Sequence, residues 1–140
     1  VTVTFHVPGI AQPGGSKRHV GNGIIIDANP KAKDWKQTVA AFAARAFTAP
    51  LGGPLSLTIT FLRQRPKSHY RKDGTLKPGA FHEWPTTKPD CTKLVRSTED
   101  ALKGIAWRDD AQVCRQLIEK RYVRDGEAPG ASIRVEDCRR

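Results

Sequence analysis

Apolar residues in this 140-residue chain recur with two different periods, and the order in which those periods alternate limits the fold more than anything else. Val1, Val3, Phe5 and Val7 alternate with Thr2, Thr4 and His6, the signature of a half-buried strand over residues 1–7. Pro8-Gly9 ends it, and a Gly- and Pro-rich loop carrying Lys17-Arg18-His19 follows to residue 23. A short apolar run (Ile24, Ile25, Ile26) predicts a second strand within 23–27. The period then changes. Asn29-Pro30 supplies a cap and a first-turn proline, and Trp35, Val39, Phe42, Ala43, Ala46 and Phe47 fall at helical spacing up to about Thr48. Leu55, Leu57, Ile59 and Phe61 restore the two-residue period of a strand over 55–62.

Residues 63–89 have neither period and read as a long, basic, flexible loop. Its first part, 63–80, holds six basic residues (Arg63, Arg65, Lys67, Arg71, Lys72, Lys77) and a single acid, Asp73. A loop of this length inside a compact domain usually carries function or moves. After it, Leu94, Val95, Thr98, Ala101 and Leu102 form the buried stripe of a helix over 92–103, with Gly104 as its stop. Strands are predicted at 111–123 and 131–136. The expected fold is therefore α/β: a single domain over 1–140, a mixed β-sheet flanked by two main helices. An apolar fraction of 38%, below the usual ~45–50%, allows one modest core.

Charge narrows the function classes. Lys and Arg total 24 against 14 Asp and Glu, a formal net charge of +10, which points to a polyanionic partner. No run approaches the ~18 apolar residues of a spanning helix, no leader is recognisable at the start, and no basic amphipathic helix with an aromatic face argues for a membrane surface. Three cysteines without a C-x-x-C pair argue against a disulfide or zinc framework and for a reducing compartment, the cytoplasm. The four histidines lack metal-ligand spacing.

The acids are unevenly placed. Residues 1–70 contain only Asp27 and Asp34, whereas 90–110 contain Asp90, Glu99, Asp100, Asp109 and Asp110. Carboxylates gathered beside basic loops suit phosphodiester hydrolysis, where hard oxygen ligands hold Mg²⁺ and a neighbouring cation stabilises the crowded phosphorus. The same acids also have structural uses: Asp90 as a helix N-cap, Asp100 as an i,i+4 partner of Arg96, Asp109-Asp110 as turn residues. A helix over 92–103 is about 18 Å long, so Asp110 joins Asp90 only if the following chain runs back along it.

Lys88-Pro89-Asp90-x-Thr92-Lys93-Leu94-x-Arg96, then Glu99-Asp100-Ala101-Leu102-x-Gly104, then Trp107-x-Asp109-Asp110-Ala111-Gln112-Val113 resembles the core of RusA-type Holliday junction resolvases. That family's pattern reads P-D-x-D-N-L-x-K, D-A-L-x-G and D-D-A-Q-V. Val7-Pro8-Gly9 and the loop after it are similar to the versions found in phages, which implies a phage- or prophage-encoded protein acting in a bacterial host. The resemblance implies a RusA-like fold and a homodimeric, Mg²⁺-dependent endonuclease (Mn²⁺ being the alternative ion) that cuts four-way DNA junctions by paired symmetric nicks. It places catalytic carboxylates at Asp90, Asp110 and Asp100, and the catalytic cation at Arg96. Lys93 stands at the family's Asn beside them. Metal ligation falls to Asp90, Asp110, Asp109 and Asp100. One departure stands out: Thr92 occupies the position of the family's second carboxylate, which opens a second reading as a non-catalytic or weakly catalytic junction binder. Arginine at 96 keeps the family lysine's charge but not its geometry.

Lys17, Arg18, Arg63, Arg65, Lys67, Arg71, Lys72 and Lys88 are the expected DNA contacts, giving affinity and salt dependence rather than sequence choice. Tyr70 and Trp84 either stack on unpaired bases or pack beneath the loop. Trp35 and Trp107 are expected in the core or at a dimer contact.

Overall fold

The computed structural model describes residues 1–14, 17–19, 21–23, 25–27 and 30–139. The strands are β1 (Thr2–Pro8), β2 (Lys17–His19), β3 (Ile25–Asp27), β4 (Leu55–Arg63), β5 (Val113–Tyr122) and β6 (Gly130–Asp137). The helices are α1 (Ala32–Ala46) and α2 (Cys91–Leu102). Four strands form one sheet in the order β1-β6-β4-β5. β6 runs antiparallel to both β1 and β4, while β4 and β5 are parallel, joined through α2. The mixed α/β sheet expected from the alternating periods is present.

Sheet pleating sorts the side chains. Val3, Phe5 and Val7 of β1, Ala131, Ile133 and Val135 of β6, and Leu55, Leu57, Ile59 and Phe61 of β4 join one apolar cluster with Trp35, Val39 and Ala43 of α1 and Leu94 and Leu102 of α2. The opposite face is largely polar: Thr4, Arg134 and Thr58 lie side by side with the exposed Leu117 across the four strands, as do His6, Ser132, Thr60 and Glu119. The alternation seen in the sequence of β1 is thus the inside and outside of a half-covered sheet.

Three expectations shift. Ile25–Asp27 does not join the main sheet; it pairs antiparallel with Lys17–His19 as a separate two-stranded ribbon. Three residues are too few to set an alternation, so neither the partner nor the sheet was readable. α1 begins at Ala32 with Lys31 at the cap position and no side-chain cap bond; Asn29, the expected cap, lies outside the described residues. The stretch 63–89 is not featureless: short 3₁₀ turns at Lys67–His69 and Pro78–Ala80 flank a bridge between Tyr70 and Leu76.

The end of α2 follows its sequence. Lys103 is the C-cap, and Gly104 adopts φ +88°, a conformation that costs a side-chain-bearing residue heavily. The segment before the ribbon docks on this helix, with the Gly14 amide donating to the Lys93 carbonyl at 2.9 Å. A Cβ at Gly14 would lie 2.9 Å from Cβ of Ser97, so only glycine allows this approach.

Candidate functional site

α2 acts as a ruler between two groups of acids. Asp90 sits at its N-terminal cap, and Glu99 and Asp100 lie in its last turns. Nine residues from 90 to 99 correspond to about 13 Å of helix. The chain then turns through Trp107 and enters β5 by a 3₁₀ turn, Asp110–Gln112. The turn is built by the sequence itself. Asp109 accepts the Ala111 amide at 2.9 Å, and the Gln112 side chain accepts the Asp109 amide at 3.0 Å, a reciprocal capping box. Asp109 is therefore a structural cap. Asp110 is held by the buried indole of Trp107, whose Nε1 donates to Oδ1 at 2.8 Å.

Glu99, Asp100 and Asp110 gather at this end. The Gln116 side-chain amide donates to Glu99. Burial pushes the Glu99 carboxyl above its ordinary 4.5; the Gln116 bond opposes this, and the neighbouring charges of Asp110 and Asp100 reinforce it. Asp100 pairs with Lys36 of α1 at 3.4 Å, rather than with Arg96 one turn back. A raised carboxyl binds a proton more tightly in the folded chain than in the unfolded one, so Glu99 lowers stability at neutral pH. Glu99→Gln should unfold at higher denaturant than the parent at pH 7. The gap should narrow as pH falls through the raised value and vanish below 4.5, as measured by urea midpoints across that range.

At the other end Asp90 is exposed. Its carbonyl accepts the Leu94 amide at 3.0 Å, but its carboxylate makes no cap hydrogen bond. Thr92, Lys93 and Arg96 are exposed on the following turns. β5 does run back along α2, as a joint site would require. What it delivers to Asp90, however, is Lys120, whose Nζ donates to the carbonyls of Thr87 and Pro89 at 2.7 and 2.9 Å. Asp110 stays at the far end, with Glu99. Among the described residues no three His, Cys, Asp or Glu side chains converge to hold a metal ion. The carboxylates of one chain do not by themselves fit such an ion, because the four expected ligands are divided between the two ends of α2.

The basic residues fall into distinct groups. Arg63 donates to the Ala11 carbonyl at 2.7 Å. Arg65 donates to Ala80 and His82 carbonyls at 2.7 and 3.1 Å and lies 4.6 Å over the Tyr122 ring. Arg65 thus pins the long loop to the sheet, while Arg63, the last residue of β4, holds the segment that follows β1. Lys67, Arg71, Lys72 and Lys88 are exposed. Lys17 and Arg18 belong to the β2–β3 ribbon, whose side chains lie outside the described residues. Trp84 and Phe81 are exposed on the same loop, while Tyr70 is half-buried; Trp35 and Trp107 are buried in the core.

Two residues of interest stand outside the motifs. Glu99 was visible only as one acid of five. Lys120 had a signal: it shares the inward face of β5 with Ile118 and Tyr122, where a lysine needs a partner.

The profile of the family described as Endodeoxyribonuclease RusA matches residues 7–136. The chain is also similar to the Uncharacterized protein YqaN of Bacillus subtilis (strain 168), 31% identical over 131 residues, covering 90% of this chain and 87% of that protein.

Proposed function

The chain belongs to the RusA endodeoxyribonuclease family, and within it we propose a Mg²⁺-dependent homodimer that resolves four-way DNA junctions by paired symmetric nicks. The observation that carries this reading is the state of the acids. The Asp90 carboxylate makes no cap hydrogen bond, and the Glu99 carboxyl, raised chiefly by burial, lies close to Asp100 and Asp110. Perturbed carboxyls of this kind gather at sites that bind a cation or carry a reaction. An all-oxygen donor set suits Mg²⁺, with Mn²⁺ as the alternative.

The separation of Asp90 from Asp110 also bears on the dimer. Two chains related by a two-fold axis, with their α2 helices antiparallel, bring Asp90 of one toward Asp110 of the other. Two symmetric nicks demand that symmetry in any case. The net charge of +10, with exposed Lys67, Arg71, Lys72 and Lys88, supplies the phosphate contacts. Among the described residues no helix is long and apolar enough to cross a membrane. The three cysteines are free thiols, which fits a reducing bacterial cytoplasm.

The test is cleavage of a synthetic four-way junction against linear duplex of the same sequence, with Mg²⁺, Mn²⁺ or EDTA, alongside light scattering. Metal-dependent cuts at symmetric positions by a dimer support the reading; a strict monomer that cuts duplex and junction alike refutes it.

Thr92 favours a second reading, a junction binder with little cleavage. It is exposed in the first turn of α2, two residues from Asp90, and carries no charge. Thr92→Asp should tighten Mg²⁺ binding by calorimetry and raise the cleavage rate by about tenfold or more, the effect of ~1.4 kcal/mol at the transition state. No change in either would show that the site does not use this position.

A further inference from the structure

At Pro89, the residue before Asp90, the surface opens into a cleft of about 170 Å³, whose walls include Arg63, Gln64, Thr87, Lys88, Lys120 and Tyr122. Among the described residues Arg63 and Lys120 make no ion pair, and their hydrogen-bond partners are main-chain carbonyls: Ala11 for Arg63, Thr87 and Pro89 for Lys120. A carbonyl orients a cation but does not neutralise it. An ammonium has three N–H donors and a guanidinium five, so each retains donors after these bonds. Burial pulls the Arg63 guanidinium below its ordinary value, the mark of a charge that is desolvated without compensation. Lys88, exposed, stands at the edge of the same cleft.

We propose that this cleft seats one phosphodiester group of the DNA backbone directly beside Asp90, with Arg63 and Lys120 as its binding side chains and Gln64 and Lys88 at its mouth. The inference rests on the endonuclease reading and deepens it by naming where the strand nearest Asp90 is gripped. Lys120 then has two roles. Two of its N–H groups fix the Thr87 and Pro89 carbonyls that lead into Asp90, and the third faces the phosphate. The fixed partners make the seat rigid, so the phosphate is placed rather than merely attracted.

The experiment compares the parent with Lys120→Gln and Gln64→Glu. Each is titrated with a fluorescent four-way junction in EDTA over a range of KCl, and the parent is titrated separately with inorganic phosphate by amide NMR. Both variants should weaken junction binding equally for junctions of different sequence. Lys120→Gln should also flatten the slope of log K against log salt by about one, the share of a single phosphate contact, and Gln64→Glu, which removes no cation but sets a carboxylate at the mouth, should flatten it by repulsion. Gln64 is exposed and holds no main-chain group, so Gln64→Glu reports even if Lys120→Gln misfolds. Parent-like slopes in a folded Gln64→Glu and Lys120→Gln, with the parent binding junctions, overturn the cleft and leave the endonuclease reading standing. If the parent binds no junction, that reading fails by itself. In that case phosphate-induced shifts confined to Arg63, Gln64 and Lys120 keep an anion seat for another phosphate source, and their absence overturns it.

Discussion

Asp90→Asn should all but abolish junction cleavage while leaving the chain folded, with at most a small loss of stability, and junction affinity at the parental value. The carboxylate is exposed and makes no cap hydrogen bond, so the fold does not depend on its charge. Asparagine is as good an N-cap residue as aspartate, and the loss of one negative charge at the start of α2 costs about 0.3–1 kcal/mol at most. Removing one partner from a charge-stabilised phosphoryl site commonly costs several kcal/mol at the transition state, so the rate should fall by about a thousandfold. The asymmetry between the two readouts is the point. Thermal melting should move by no more than a few degrees and gel shift in EDTA should not move, while single-turnover cleavage with Mg²⁺ should fall by that factor. Parental cleavage by Asp90→Asn would remove Asp90 from the site and leave only the acids at the other end of α2. Under a two-fold arrangement, mixing Asp90→Asn with Asp110→Asn chains should restore some cleavage, because a mixed dimer regains one intact set.

Much of this arrangement was readable beforehand, and the limits have physical causes. The stripe Leu94, Val95, Thr98, Leu102 and the stop at Gly104 place α2 to within a residue, since period and terminator agree. The alternation in 55–62 marks β4 because that strand lies between two neighbours and buries Leu55, Leu57, Ile59 and Phe61. No local pattern states which strands become neighbours. β5 and β6 are consecutive in sequence, yet β4 lies between them. The site suffered from the same gap. The spacing of Asp90, Asp100 and Asp110 was explicit, but whether the far acids return to Asp90 depended on the length of a straight helix and on where β5 starts. Arg63 and Arg65 illustrate a second limit. Their charge suggested DNA, whereas the structure spends part of each guanidinium on main-chain carbonyls of the loops they anchor. A sequence gives the charge of a side chain but not the carbonyls within its reach.

Trp107 joins the core to the far acids, and its replacement should have the largest effect on stability of any single change considered. The side chain is fully buried and belongs to the main apolar cluster. Its residue also bridges to Leu51, and its carbonyl accepts the Gly104 amide that closes the turn after α2. Trp107→Ala should cost about 3–5 kcal/mol, the usual range for emptying a large aromatic site. For a domain of this size that removes a large part of the total. Trp107→Phe separates the two roles. The phenyl ring keeps most of the apolar contact, so the loss of stability should be well under half of the alanine value. The Nε1 donor to Asp110 disappears, however, and that 2.8 Å bond is what fixes the carboxylate beside Glu99. Cleavage by Trp107→Phe should therefore fall by roughly tenfold or more, a positioning loss of ~1.4 kcal/mol, at temperatures where the variant is fully folded. Urea midpoints with an unchanged m-value would establish the stability order, and cleavage rates below the transition would establish the second effect. A phenylalanine variant that cuts as fast as the parent would make Trp107 a core residue alone and would leave Asp110 to be oriented by something other than the indole.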